Sequence, residues 1–169
     1  MNTTIRHRHL PAGISLTVII ILLLATVVAA AQNGGKRAGS ELPLGSQDLI
    51  QPEDLVKTLR SDAAKPAVLY VGPRFLYAQA HIPGAEFIGS AADSESLNRL
   101  RKRVASLPKN SHLVLYCGCC PWEHCPNIRP AYQELQKLGF TQAKALYLST
   151  SFGSDWVEKG YPVEKGEPR

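Results

Sequence analysis

The chain has 169 residues and a formal net charge of +5 at pH 7, with 44% hydrophobic and 20% charged residues. This length allows one folded domain of ordinary size, and so mildly basic a balance does not by itself indicate a nucleic-acid-binding protein. All four cysteines lie between positions 117 and 125, directly after an apolar run and directly before a predicted helix. Random placement over this length would almost never produce such a cluster, so the sequence points to sulfur chemistry, metal chemistry or both.

The first segment has the pattern of a secretory signal peptide. Arg6 and Arg8 precede an apolar core at positions 14–28, and three alanines come directly before Gln32. This pattern predicts a signal peptide over residues 1–31 that is cleaved before Gln32. The alternative is an uncleaved anchor, because the apolar stretch is about long enough to span a bilayer. Both interpretations place the rest of the chain outside the cytoplasm of a bacterium, either free in the periplasm or anchored to the inner membrane and facing the periplasm.

Residues 32–48 are rich in Gly, Ser and Lys and are predicted to form a flexible linker. The folded domain is predicted to span residues 49–163, followed by a polar tail at 164–169. Cleavage of the leader would remove two arginines and no acids, which leaves a formal charge of +3 on the mature protein.

Within the domain, apolar runs of strand length alternate with segments of helical periodicity. The predicted elements, in chain order, are a helix from Pro52 to Leu59, a strand at 67–71, a short strand at 86–89, a helix from Leu97 to Leu107, a strand at 112–116, a helix from Pro130 to Leu138, a strand at 143–148 and a helix at 154–159.

Strands that are apolar throughout and separated by helices indicate a mainly parallel sheet covered on both faces. The predicted fold is therefore α/β, a three-layer open sheet. In such sheets ligands bind at the carboxyl ends of the strands, and Cys117 lies at one of these ends.

The densest basic run is Arg99, Arg101, Lys102 and Arg103, on a predicted helix. Charge runs of this kind usually form a solvated helix face. We expect no nucleic-acid partner, and membrane contact only if the leader stays uncleaved.

Four motifs in order resemble the rhodanese-like domain family. They are an opening strand and helix around Ile50 to Leu55, the turn His81-Ile82-Pro83-Gly84-Ala85, the strand end Leu115-Tyr116-Cys117, and the closing Trp156 with Gly160-Tyr161-Pro162-Val163. The resemblance spans the whole predicted domain.

The resemblance implies a sulfurtransferase. In the family a cysteine thiolate takes the outer sulfur of a donor such as thiosulfate, holds it as a persulfide and passes it to an acceptor such as cyanide or a thiol. Cys117 occupies the position of that cysteine, and its loop and the following helix start would supply N–H groups to the sulfur. The expected partners are a small sulfur-containing substrate and a thiol protein as acceptor, and no cofactor is expected.

Several positions depart from the family pattern. Tyr70 and Gly72 stand where an acidic residue and an arginine are usual, and Ser151-Phe152 replaces a Gly-Gly pair. The loop from Cys117 to Arg129 is longer than the usual active loop and contains three further cysteines. These departures call the standard thiosulfate activity into question. The sequence disfavours the phosphatase branch of the fold, which needs five residues between a cysteine and an arginine, because only three separate Cys125 from Arg129.

The extra cysteines leave alternatives open. Cys117 and Cys120 form a C-x-x-C pair, which indicates a periplasmic thiol-redox module as an alternative function. Cys119, Cys120 and Cys125 are candidate resolving or auxiliary thiols, or partners in a structural disulfide. The substrate-binding candidates in the loop are Trp122, His124 and Arg129. A third interpretation is a Zn or Cu(I) module whose ligands come from Cys117, Cys119, Cys120, His124 and Cys125.

Overall fold

The computed structural model describes residues 44–62 and 64–168. The predicted signal peptide and the linker up to residue 43 lie outside these described residues. Five strands form one sheet in the described part: β1 (Leu49–Ile50), β2 (Ala67–Tyr70), β3 (Glu86–Phe87), β4 (Leu113–Tyr116) and β5 (Ala143–Leu146). Four α-helices accompany them: α1 (Pro52–Arg60), α2 (Arg74–Gln79), α3 (Ser94–Val104) and α4 (Ile128–Lys137).

The sheet has the strand order β1-β5-β4-β2-β3, and every pairing in it is parallel. Side chains alternate between its faces: Leu113 and Leu115 of β4 pack with α3 and α4, whereas Val114 and Tyr116 pack with α1 and α2. Helices therefore cover both faces, which confirms the predicted three-layer α/β fold. Because β4 lies at the centre, the residue that follows it emerges in the middle of the sheet edge.

The helix boundaries differ from the predictions in several places. The helix predicted from Leu97 to Leu107 is α3, which begins and ends about one turn earlier, at Ser94 and Val104. Helix α2 was not predicted, and α4 begins at Ile128 rather than Pro130. Pro130 is the third residue of α4, where its missing N–H removes no intrahelical hydrogen bond. The last helix is a π-helical turn at Gly153–Val157 rather than an α-helix over 154–159.

None of the described helices is long and apolar enough to cross a membrane.

Segments on both sides of the predicted 49–163 domain contact it. Residues Ser46–Asp48 form a 3-10 turn, and the Tyr132 hydroxyl donates to the Asp48 carboxylate at 2.8 Å. At the other end Glu164 forms an antiparallel bridge with His81, and the Gly166 N–H donates to the Ala78 carbonyl at 2.9 Å. Both flanking segments therefore pack against the predicted domain.

The basic run on α3 is neutralised by acidic residues. Arg99 pairs with Glu95, Arg101 makes a bidentate pair with Glu134 of α4 at 2.6 and 2.9 Å, and Arg103 pairs with Glu86 of β3. Each of the three arginines is thus paired with an acidic residue, and Arg101 and Arg103 join α3 to α4 and β3.

Candidate functional site

Cys117 lies immediately after β4, at the carboxyl edge of the sheet, and is 1% exposed. The chain turns sharply at the next residue, Gly118, whose φ is +72°. The Phe152 N–H donates to the Gly118 carbonyl at 3.0 Å, which ties the cysteine loop to the loop after β5. A Cβ on Gly118 would lie 2.5 Å from the Phe152 Cβ, so glycine is required both by the φ angle and by the close approach.

Three of the four sulfur atoms form one cluster. The Sγ atoms of Cys117, Cys119 and Cys125 all lie within 4.8 Å of one another. Cys120 lies beside this cluster, with its Sγ 3.2 Å from that of Cys119 and 3.5 Å from the His124 carbonyl oxygen. None of the four cysteines forms a disulfide. Of the predicted thiols, Cys119 and Cys125 are thus the ones that the fold groups with Cys117.

Asn127, which was not predicted as a site residue, contacts this cluster through its side-chain amide. Its side chain is 3% exposed, and its Oδ1 accepts a hydrogen bond from the Ala92 N–H at 3.0 Å. This bond fixes the amide orientation, because only the oxygen can accept. The Nδ2 group then faces the Sγ atoms of Cys117, at 3.4 Å, and Cys119, at 3.7 Å. A polar residue of N-cap type just before an apolar-periodic helix was the available sequence signal.

The surroundings of the cluster favour negative charge on Cys125. A hydrogen bond from the Cys117 thiol lowers the pKa of Cys125 to about 6, and the backbone N–H groups of Asn127 and Ile128 act in the same direction. These N–H groups stand at the start of α4, where the helix favours negative charge. The pairing with Cys125, together with burial, raises the pKa of Cys117, which the Cys119 N–H opposes. The sequence predicted that the helix start would face Cys117, but in the structure it faces Cys125.

A cavity of about 400 Å³ opens over Cys117. Among the described residues, the thiols that line it are those of Cys117 and Cys119. Its other walls come from β2, α2 and the segment after β5, and comprise Tyr70, Leu76, Gln79, Ala80, Gly118, Ser151, Phe152, Gly153, Val157 and Glu158. A small molecule in this cavity would reach Cys117 directly, whereas Cys125 lies behind it.

The three side chains predicted to bind substrate do not line this cavity. Trp122 packs against the ring of Tyr147, with ring centroids 5.2 Å apart, and donates its backbone N–H to the Ser149 carbonyl. His124 is exposed at the end of a 3-10 turn, Trp122–His124, and Arg129 is half-buried in the first turn of α4. A role for them in substrate binding stays a prediction.

The positions that depart from the family pattern surround Cys117 instead. Tyr70, Ser151 and Phe152 line the cavity. Gly72 is closer still, since a Cβ there would lie 2.8 Å from the Cys117 Sγ and 2.6 Å from the Tyr70 hydroxyl oxygen. The unusual residues of the sequence are therefore gathered around one thiol.

Comparison with known proteins gives a consistent result. The sequence model of the family described as Rhodanese-like domain matches residues 51–154. The structure is similar to that of the BH2092 protein from Bacillus halodurans, with a TM-score of 0.55, 22% identity, and coverage of 70% of this chain and 77% of that one. It is also similar to the Alr3790 protein from Anabaena sp., with a TM-score of 0.53, 21% identity, and coverage of 69% of this chain and 92% of that one.

A third similar structure is a variant of EanB that carries a cysteine persulfide in a tetrahedral intermediate state with ergothioneine. Its TM-score is 0.52 at 20% identity, and the match covers 69% of this chain and 28% of that one. These structural likenesses concern the fold. Among curated proteins, none matches the sequence significantly.

Proposed function

The chain belongs to the rhodanese-like domain family, and from this membership we propose that it is a sulfurtransferase that carries sulfane sulfur as a persulfide on Cys117. The observation that carries the proposal is the position of this thiol. Cys117 belongs both to the buried sulfur cluster and to the wall of the cavity. It can therefore meet a donor on one side and exchange a proton on the other.

Cys117 fits the role of sulfur carrier better than its neighbours do. Cys125 holds the charge but does not line the cavity, and Cys120 lies beside the cluster. Cys119 reaches the cavity and is half-buried, but it lies on the loop, whereas Cys117 directly follows the central strand. A group fixed by a strand and by a buried amide keeps its orientation during the reaction.

The first half of the reaction uses Cys125 as the base. The Cys117 sulfur attacks the outer sulfur of a donor R–S–SH, and the Cys117 thiol proton passes to the Cys125 thiolate. The donor S–S bond breaks, and RS⁻ leaves with the bonding electron pair. The products are the persulfide Cys117–S–SH and a protonated Cys125 thiol. The Asn127 amide and the Cys119 N–H, which both point at the Cys117 sulfur, stabilise the negative charge that develops there.

The second half restores the starting state. An acceptor thiolate attacks the outer sulfur of the Cys117 persulfide and leaves as a new persulfide. The Cys117 thiolate that remains takes back the proton from Cys125. Cyanide serves equally well as an acceptor in this scheme, because it is also a nucleophile that attacks the outer sulfur.

Sulfur loading tests the proposal. Incubation of the protein with inorganic polysulfide should add the mass of one sulfur atom, in a form that dithiothreitol removes, and peptide mapping should place it at Cys117. The Cys117→Ser variant should not load, whereas the matched variants Cys119→Ser and Cys120→Ser should. Full loading of Cys117→Ser at another cysteine would refute the assignment.

The sulfur cluster favours a second candidate function, the binding of a soft metal ion. Of the five predicted ligands, the described structure brings three close enough together to share a metal ion, the sulfurs of Cys117, Cys119 and Cys125. Thiolates select ions such as Cu(I) and Zn, but three sulfurs leave one position of a tetrahedral Zn site unfilled. Near-stoichiometric metal in the isolated protein, lost in each of the three cysteine variants and accompanied by no sulfur loading, would favour this function over sulfur transfer.

A further inference from the structure

The walls of the cavity over Cys117 offer little to an anion. Among the described residues that line it there is no Lys, Arg or His, and the acidic residue is Glu158. Leu76, Phe152 and Val157 make much of the remaining wall apolar. A cleft with this lining repels an anionic ligand and attracts an apolar one.

Three backbone donors of the loop after β5, beside the cavity, are already used. The Asp155 carboxylate accepts hydrogen bonds from the N–H groups of Thr150, at 2.6 Å, and Ser151, at 3.1 Å. The Phe152 N–H donates to the Gly118 carbonyl. The loop after β5 therefore carries its own carboxylate where an oxoanion would otherwise bind.

There is also no room for a cationic side chain to approach the Cys117 sulfur from the end of β2. The position after the strand that faces Cys117 is Gly72, and a Cβ there would already lie 2.8 Å from the Cys117 Sγ. The space next to the thiol is filled by the Tyr70 ring, whose hydroxyl donates to the Pro73 carbonyl at 3.2 Å. The cavity is thus closed to positive charge on this side by its packing.

We infer that the sulfur donor of this site is an organic persulfide with an apolar group next to the sulfur, and that Glu158 selects against oxoanion donors such as thiosulfate. This inference rests on the proposed sulfur transfer at Cys117. The apolar group would pack against Leu76, Phe152 and Val157, and its terminal sulfur would point at Cys117. The leaving group is then an organic thiolate with an uncharged, apolar substituent, whereas thiosulfate would release sulfite.

The experiment compares two donors on the same protein. The rate at which one sulfur is added to Cys117 is measured by mass spectrometry at low ionic strength, with benzyl persulfide generated in situ and with thiosulfate. We expect loading from benzyl persulfide to be faster by about tenfold or more, in keeping with the effect of cleft charge on association rates. Both donors are then tested on Glu158→Lys and on a matched control, Asp62→Lys, which makes the same charge change at an exposed position that does not line the cavity.

Glu158→Lys should raise the thiosulfate rate by about tenfold and Asp62→Lys should leave it within about twofold, since the effect depends on charge inside the cleft. Thiosulfate loading as fast as benzyl persulfide loading in the unaltered protein would overturn the inference while leaving sulfur transfer intact. Equal effects of the two lysine substitutions would overturn the role of Glu158. Failure of every donor, inorganic polysulfide included, to load Cys117 would instead refute the proposed function itself.

Discussion

Asn127→Asp is the substitution that tests most directly how the cluster stabilises charge on Cys117. An aspartate can still accept the hydrogen bond from the Ala92 N–H, but it places a carboxylate oxygen where the amide donor stands 3.4 Å from the Cys117 Sγ. The lost hydrogen bond to a charged sulfur is worth about 1.5–3 kcal/mol. Repulsion between unit charges at this distance adds up to about 5 kcal/mol at an effective dielectric constant of about 20.

Even about a quarter of this sum exceeds 1.4 kcal/mol, which corresponds to a tenfold change in rate. We therefore expect sulfur loading of Cys117 at neutral pH to fall at least about tenfold in Asn127→Asp. The assay is the initial rate of loading from polysulfide, followed by mass spectrometry, alongside a thermal unfolding measurement that identifies the folded fraction. The control is Asn98→Asp, which makes the same chemical change at an exposed residue of α3. The Asn98 side-chain oxygen accepts a hydrogen bond from Arg101. A folded Asn127→Asp protein that loads at the rate of Asn98→Asp would refute the role of the amide.

Two further predictions concern the neighbours of Cys117. Because the pKa of Cys125 is lowered to about 6, the loading rate should rise as pH increases through that value. The Cys125→Ser variant should lose this rise and load efficiently only at alkaline pH. An unchanged pH profile in this variant would contradict the role of Cys125 as base. Gly118→Ala should destabilise the protein by more than about 2 kcal/mol, since it adds a side chain at φ +72° and a 2.5 Å contact with the Phe152 Cβ. Gly139→Ala is the control for urea unfolding, because it shares the positive φ but its Cβ would meet no atom within 4 Å; equal losses of stability would show that the contact is unimportant.

Most of the sheet could be predicted because its strands are buried on both faces. The apolar runs around Val68 and Val114 have no polar alternation, and such runs are typical of a parallel sheet between helix layers. Helix α2 could not be predicted in the same way. Its six residues, Arg74–Gln79, are too few to show a helical period, and it carries Phe75, which is 62% exposed, beside buried Tyr77. Its position depends on tertiary contacts that sequence spacing does not contain.

The candidate site could be predicted in part. The cysteine cluster and the place of Cys117 at a strand end follow from spacing, but which thiols meet depends on how the loop turns back at Gly118 and Pro121. That path joins Cys119 and Cys125 to Cys117 and leaves His124 in solvent. Asn127 was missed because an asparagine before a helix normally caps it. Here its side chain makes no cap hydrogen bond and reaches the sulfurs instead.

The proposed division of roles between two thiols explains how a cavity with no cation among its described lining residues can serve an anionic reaction. Before loading, the negative charge lies on Cys125, where the Cys117 thiol and the first N–H groups of α4 bind it behind the cavity wall. In the proposed mechanism Cys125 becomes neutral as it takes the proton, and the negative charge that develops on the Cys117 sulfur during the transfer meets the Asn127 amide and the Cys119 N–H. The cluster then holds no more than one negative charge at each stage, and Asn127 lies between the two places where that charge is stabilised. A second anion in the cavity, such as an oxoanion donor facing Glu158, would break this limit, because no cation among the described lining residues offsets it. The apolar donor and the buried base that we propose are therefore two consequences of one arrangement of charge.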